Sequence, residues 1–195
     1  MRLRARLWAL GAFVFMRAWY GFTQMVTRKR DVVVPTFSSP HEIITYLQFG
    51  RLYKTDPIKG VLDVAQHATS VAKKVNAGSL HVGDCDDHAI VWCYGLTHNH
   101  LSTHTYFATL RMQDVATGEL SAHALVVYRD GTKRYWADYR DPSEFENDWD
   151  WAVACALTFN AVPVAATLTD VRGLSKRGRV QFGRMRTRTW EVTRG

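Results

Sequence analysis

Apolar positions along the chain change their spacing from segment to segment, and the spacing predicts the elements. Residues 3–28 form a largely apolar stretch in which Arg6, Arg17 and Arg28 recur every eleven residues. Eleven residues is close to three helical turns, so a helix there would carry one basic stripe. Ser38-Ser39-Pro40 reads as the cap of a helix over 41–50. Asp56-Pro57 opens a helical region that continues through Val64, Ala65, Ala68, Val71, Ala72 and Val75 to Gly78. Its spacing suits packing against a further helix that begins at Cys85 and continues into Ile90-Val91-Trp92-Cys93-Tyr94. Strand-like segments follow. Thr105–Met112 leads to a turn at Ala116-Thr117-Gly118, and Ser121–Tyr128 leads to a hairpin signal at Asp130-Gly131. Arg134–Tyr139 returns as the next strand, 145–159 reads as helix, and Ala165–Val171 adds a strand. Val180–Val192 alternates weakly, as an Arg-decorated edge strand would. The fold class is therefore α+β, with helices preceding an antiparallel sheet.

Gly83-Asp84-Cys85-Asp86-Asp87-His88-Ala89 carries the chemistry. Gly83 permits a sharp turn, Asp84 stands at the N-cap, and Asp87 stands at N3 as in a capping box. Cys85 then falls on the first helical position, where the positive end of the helix dipole favours thiolate, the nucleophilic form. A thiolate needs a base and a group to orient that base. His123 opens one strand of the hairpin and Asp138 closes the other, so the two can meet across the ladder. Cys93 and Cys155 lie in apolar helical surroundings and read as packing residues. Three cysteines is an odd count and suits reduced thiols better than a disulfide framework.

The blocks at 83–89, at His123-Ala124-Leu125-Val126 and at Trp136-Ala137-Asp138 resemble the three motifs of the transglutaminase-like superfamily, in particular its bacterial and phage cysteine-peptidase type. The resemblance covers 83–138 well and 41–160 loosely. It implies a papain-like core with the catalytic Cys at a helix N-terminus against an antiparallel sheet, and a Cys85-His123-Asp138 triad. It also implies an upstream Trp or Gln for the oxyanion hole, for which Gln66 and Gln48 are the candidates here. His88 stands where relatives usually carry an aromatic residue. Implied substrates are peptides or proteins, with hydrolysis of peptide or isopeptide bonds ahead of amine transfer and no cofactor required. Calcium enters because some peptidase-type relatives depend on it, and Asp84, Asp86 and Asp87 offer oxygen donors without an EF-hand spacing. The same three carboxylates oppose ionisation of Cys85, since one unit charge at about 4 Å is worth about 4 kcal/mol at an effective dielectric of 20. His98, His100 and His104 are nitrogen donors in a loop, where solvent exposure explains them better than zinc does.

Charge divides the 195 residues into three parts. Residues 1–30 hold seven Lys/Arg and no acid, 31–171 hold ten against seventeen acids, and 172–195 hold eight against one. This suggests a basic apolar N-terminal helix (1–30), an acidic catalytic domain (31–171) and a basic C-terminal extension (172–195). The apolar run Leu7–Met16 ends at Arg17, short of the roughly twenty residues that span a bilayer, and no small-residue cleavage site follows. Residues 3–28 would instead lie in a membrane interface, enter a partner's groove or pack on their own domain. Basic ends also fit nucleic acid, and an idle fold used as a binding module is the alternative to an enzyme. A cytoplasmic or virion-associated protein, peripheral to a membrane if at all, fits these features.

Overall fold

The computed structural model describes residues 21–48, 66–79 and 83–191. Arg6 and Arg17 of the basic stripe and the helix start at Asp56-Pro57 lie outside the described residues. In chain order the elements are α1 (Gly21–Thr27), α2 (Pro40–Gln48), α3 (Ala68–Asn76), α4 (Cys85–His98), β1 (His104–Asp114), β2 (Leu120–Asp130), β3 (Lys133–Ala137), β4 (Ser143–Phe145), α5 (Asp150–Leu157), β5 (Ala161–Leu174) and β6 (Val180–Thr189). The six strands form one antiparallel sheet in the order β4-β3-β2-β1-β5-β6. The fold is thus α+β. The basic stretch from 172 onward supplies the end of β5 and all of β6, which is an edge strand.

Alternation along the strands divides the core between the two faces of the sheet. Phe107, Ala124, Val126, Tyr128 and Ala137 pack with Ile43 and Leu47 of α2, Val71 and Val75 of α3, and Ile90, Trp92 and Leu96 of α4. Leu110, Leu125, Val127, Trp136 and Leu168 pack on the other face with Trp151, Ala152, Cys155 and Ala156 of α5. With a layer on each side, β2 is buried without a break from His123 to Tyr128. Helix α4 is buried nearly all round, because α2 and α3 cover the side away from the sheet. Gly95 permits the closest approach: a Cβ there would come within 2.8 Å of Ile43 Cδ1.

Two local expectations are corrected. The helix expected over 145–159 is only α5, and Phe145 belongs to the short strand β4. Pairing of Ser143–Phe145 with Arg134–Trp136, fixed at the surface by Lys133–Glu144 at 3.0 Å, holds this stretch extended. Asp150 Oδ2 then accepts from the backbone N–H and side-chain amide of Asn147, which delays the helix start. Second, no capping box forms at α4. Asp84 is the N-cap residue in extended conformation but makes no side-chain capping bond, and Asp87 turns to Gln66 instead. His123 and Asp138, expected to meet across the hairpin, do so without standing directly opposite one another in the ladder. Its last pair is Val126–Ala137, so Asp138 lies beyond the paired region, two positions off the register of His123.

Candidate active site

The site gathers at the end of the sheet where β2 begins and β3 has just ended. His123 is held by the ladder through its pairing with Leu110 of β1. Asp138 leaves the ladder in a tight bend, its Oδ1 accepting from the backbone N–H of Arg140 at 2.8 Å. The bend swings Oδ2 back to within 3.1 Å of His123 Nε2. Both side chains are buried, so this contact is shielded from solvent screening. The imidazole also sits edge-on to two rings, Phe159 at 5.0 Å and Tyr139 at 5.9 Å. Orientation of His123 is therefore over-determined, with Nδ1 as the ring nitrogen left to face another group.

Helix α4 meets this point along one face. Cys85, His88 and Trp92 are spaced i, i+3, i+7. The Trp92 indole N–H donates to the Asp138 carbonyl at 2.7 Å, which ties the helix to the bend. His88 feels the charges of Asp84, Asp138 and His123. Cys85 occupies the first helical position and is half-buried, while Cys93 and Cys155 are buried. Burial pushes the Cys93 thiol far up, and burial with the charge of Asp138 pushes Cys155 to about 12. Cys85 is thus the cysteine that combines solvent access with a helix N-terminus.

Arg140, which the sequence reading passed over, completes the constellation. Its Nη2 donates to Asp138 Oδ2 at 2.6 Å and its Nε to Oδ1 at 3.2 Å. The guanidinium lies over Tyr139, Phe159 and Trp136, between 4.9 and 5.8 Å from the ring centres. Burial alone would raise the Asp138 carboxyl, but hydrogen bonds from His123 and Arg140 outweigh it and hold the group well below the usual carboxylate range. The only sequence signal for Arg140 was its place two residues after an Asp at a strand end.

Acidic neighbours of Cys85 behave unequally. Asp84, Asp86 and Asp87 are all buried, and their carboxylate oxygens lie within 4.8 Å of one another. Burial, aided by the charge of Asp84, raises Asp87 well above the ordinary range even though Gln66 bonds to it. A carboxyl raised in this way opposes the thiolate less than a full charge would. Gly83 makes room for Asp87: a Cβ there would lie 2.6 Å from that of Asp87. His88 is pushed down to about 4, chiefly by burial, and neither ring nitrogen has a hydrogen-bond partner among the described residues.

The two glutamine candidates occupy different places. Gln66 is bound to Asp87 through its backbone and side-chain N–H groups, and its carbonyl accepts from Ser70 at 3.0 Å. Gln48 donates to the Tyr139 carbonyl at 2.8 Å, which brings it beside the Asp138 bend. His98, His100 and His104 are exposed and do not converge. Among the described residues, the groups with three donors close enough for one ion are Asp84-Asp86-Asp87 and His123-Asp138-Cys155.

No protein-family profile matches the chain, and no curated protein matches it. Two similar solved structures are both of Legionella pneumophila LapG. The EGTA-treated form is 17% identical, with a TM-score of 0.40 over 76% of this chain and 69% of that one. The other is 17% identical, with a TM-score of 0.36 over 76% of this chain and 71% of that one.

Proposed function

We propose that the chain is a thiol enzyme that cleaves peptide or isopeptide amide bonds, with Cys85 as nucleophile, His123 as general base and Asp138 as its orienter. The observation that carries this reading is the buried 3.1 Å contact between His123 Nε2 and Asp138 Oδ2 beside a helix that starts at a half-exposed cysteine. In the proposed reaction the Cys85 sulfur attacks the carbonyl carbon as His123 takes the thiol proton. His123 then returns that proton to the departing amine as the C–N bond breaks, which leaves an acyl-thioester. Water, activated by the same imidazole, releases the acid and restores the thiol. The first-turn N–H groups of α4 would serve as oxyanion donors in this reading, and Gln48, which donates to the Tyr139 carbonyl, is the glutamine placed beside the Asp138 bend. Resemblance to the transglutaminase-like motifs supports hydrolysis ahead of amine transfer. Calcium at Asp84, Asp86 and Asp87 is a proposed modulator of the same site.

The test is proteolysis of a denatured proteome by the full chain, read by mass spectrometry of newly formed peptide termini, with and without calcium. New termini that disappear in Cys85→Ala and His123→Ala support the reading. Unchanged termini in Cys85→Ala would overturn it. Salt-sensitive binding of DNA or anionic vesicles by a chain without cleavage would point to the binding-module alternative.

A further inference from the structure

Cys155 has no part in the proposed reaction, yet it is not an ordinary packing residue. It lies on α5, on the sheet face opposite α4, and its sulfur comes close to His123 and Asp138. One ring nitrogen of His123, one carboxylate oxygen of Asp138 and the Cys155 sulfur all lie within 4.8 Å of one another, and all three residues are buried. Cys85, half-exposed at the start of α4, interacts electrostatically with both Cys155 and Tyr139. A buried nitrogen, oxygen and sulfur donor set suits a borderline divalent ion rather than calcium or magnesium.

We propose that His123, Asp138 and Cys155, with Cys85 at the entrance, form an inhibitory site for zinc or a similar transition-metal ion. The proposal rests on the triad only for its inhibitory consequence, and the coordination stands on geometry. Tetrahedral zinc with ligand bonds of about 2.0–2.3 Å holds its donors about 3.3–3.8 Å apart, so the observed spread closes with a shift of about 1 Å or so. On binding, the Cys155 and Cys85 thiols give their protons to solvent and the His123 proton moves from Nε2 to Nδ1, freeing Nε2 for the ion. Arg140 stays on Asp138 through Oδ1, which already accepts from its backbone N–H and Nε. The charges then cancel: two positive on the ion and one on Arg140, against Asp138 and the thiolates of Cys155 and Cys85. An occupied site withdraws the base from Cys85, so the ion would switch off the chemistry without altering the fold.

The probe is cobalt(II) alone, titrated into the reduced full chain without substrate. Expected is one cobalt per chain with near-ultraviolet thiolate-to-cobalt absorption, displaced by zinc. Cys155→Ser should lose most of this absorption and weaken zinc binding at least about 10-fold, and His123→Gln should do the same. Should Cys155→Ser fail to fold, His123→Gln still decides the matter. Absence of thiolate absorption in the parent chain, or its persistence in both variants, would overturn the proposal. Its loss in Asp84→Asn with Asp86→Asn would also do so, by placing the ion at the acidic cluster. If cleavage proves independent of Cys85 while cobalt binds as described, the function fails and the metal site stands. If zinc inhibits cleavage equally in the parent chain and in Cys155→Ser, the metal site fails and the function stands.

Discussion

Arg140→Gln isolates the group that fixes Asp138. The substitution removes two side-chain donors from the carboxylate, one at 2.6 Å and one at 3.2 Å, but leaves the backbone N–H of residue 140 and His123 in place. A hydrogen bond to a charged group contributes about 1.5–3 kcal/mol, and the longer bond adds little to the shorter. Arg140 is one-third exposed, so solvent screening reduces the figure, and the expected loss is about 1–2 kcal/mol at pH 7. The effect has a pH signature. Asp138 titrates below its unfolded value of about 3.9, so its ionised form stabilises the fold above that pH and the gain is lost as pH falls through the folded value. Without the guanidinium the depression shrinks. The unfolded value is common to both proteins, so the difference between them should be full from about pH 4 to 7 and diminish only as pH falls through the variant's folded value, which still lies below about 3.9. Urea unfolding in steps from pH 7 down to about pH 1.5 measures it. Arg140→Lys, which keeps the charge but not the planar fork, should recover part of the loss. A loss that stays undiminished to the acid end of the series would refute the role assigned to the Asp138–Arg140 pair.

Further outcomes follow from neighbouring residues. His88→Phe should flatten the acid limb of stability: the drop from 6.5 to about 4 corresponds to about 3 kcal/mol lost by the parent as pH falls below both values, measurable by urea unfolding at pH 7 and pH 4. Asp87→Asn gives up part of its bonding to Gln66, but its cost should fall as pH rises from 4 toward 8, because the raised native carboxyl makes ionisation progressively more costly in the parent. Gly83→Ala should destabilise by more than about 1 kcal/mol and slow Cys85 alkylation, since the added Cβ collides with Asp87 beside the thiol. Asp138→Asn should lower proteolysis at least about 100-fold, while Cys93→Ala, far from the chemistry, costs only stability.

Much of this arrangement was legible in the chain because it depends on local chemistry. Alternation and the Asp130-Gly131 turn located the β2–β3 hairpin, and the apolar run Ile90–Tyr94 located a helix that is buried nearly all round. What escaped depended on contacts between distant segments. Asp87 stands at the N3 position of a capping box, yet Gln66, twenty-one residues earlier in the chain, offers it two donors in a buried setting where those bonds count for more. Cys155 read as a core residue from its apolar neighbours in α5, and it is buried. Only the meeting of two layers at the sheet's end brings it to His123. Phe145 lost its helical setting to strand pairing with Arg134, a partner that periodicity within one segment does not register.

The most direct test of the account is the rate of iodoacetamide alkylation at each cysteine against pH, read by mass spectrometry in the parent chain and in His123→Ala. The account predicts that Cys85 alone reacts, with an apparent pKa below the ordinary value of about 8.5 that moves upward when His123 is removed. A Cys85 that titrates at its ordinary value in both proteins, or that reacts no faster than the buried Cys93, would contradict it.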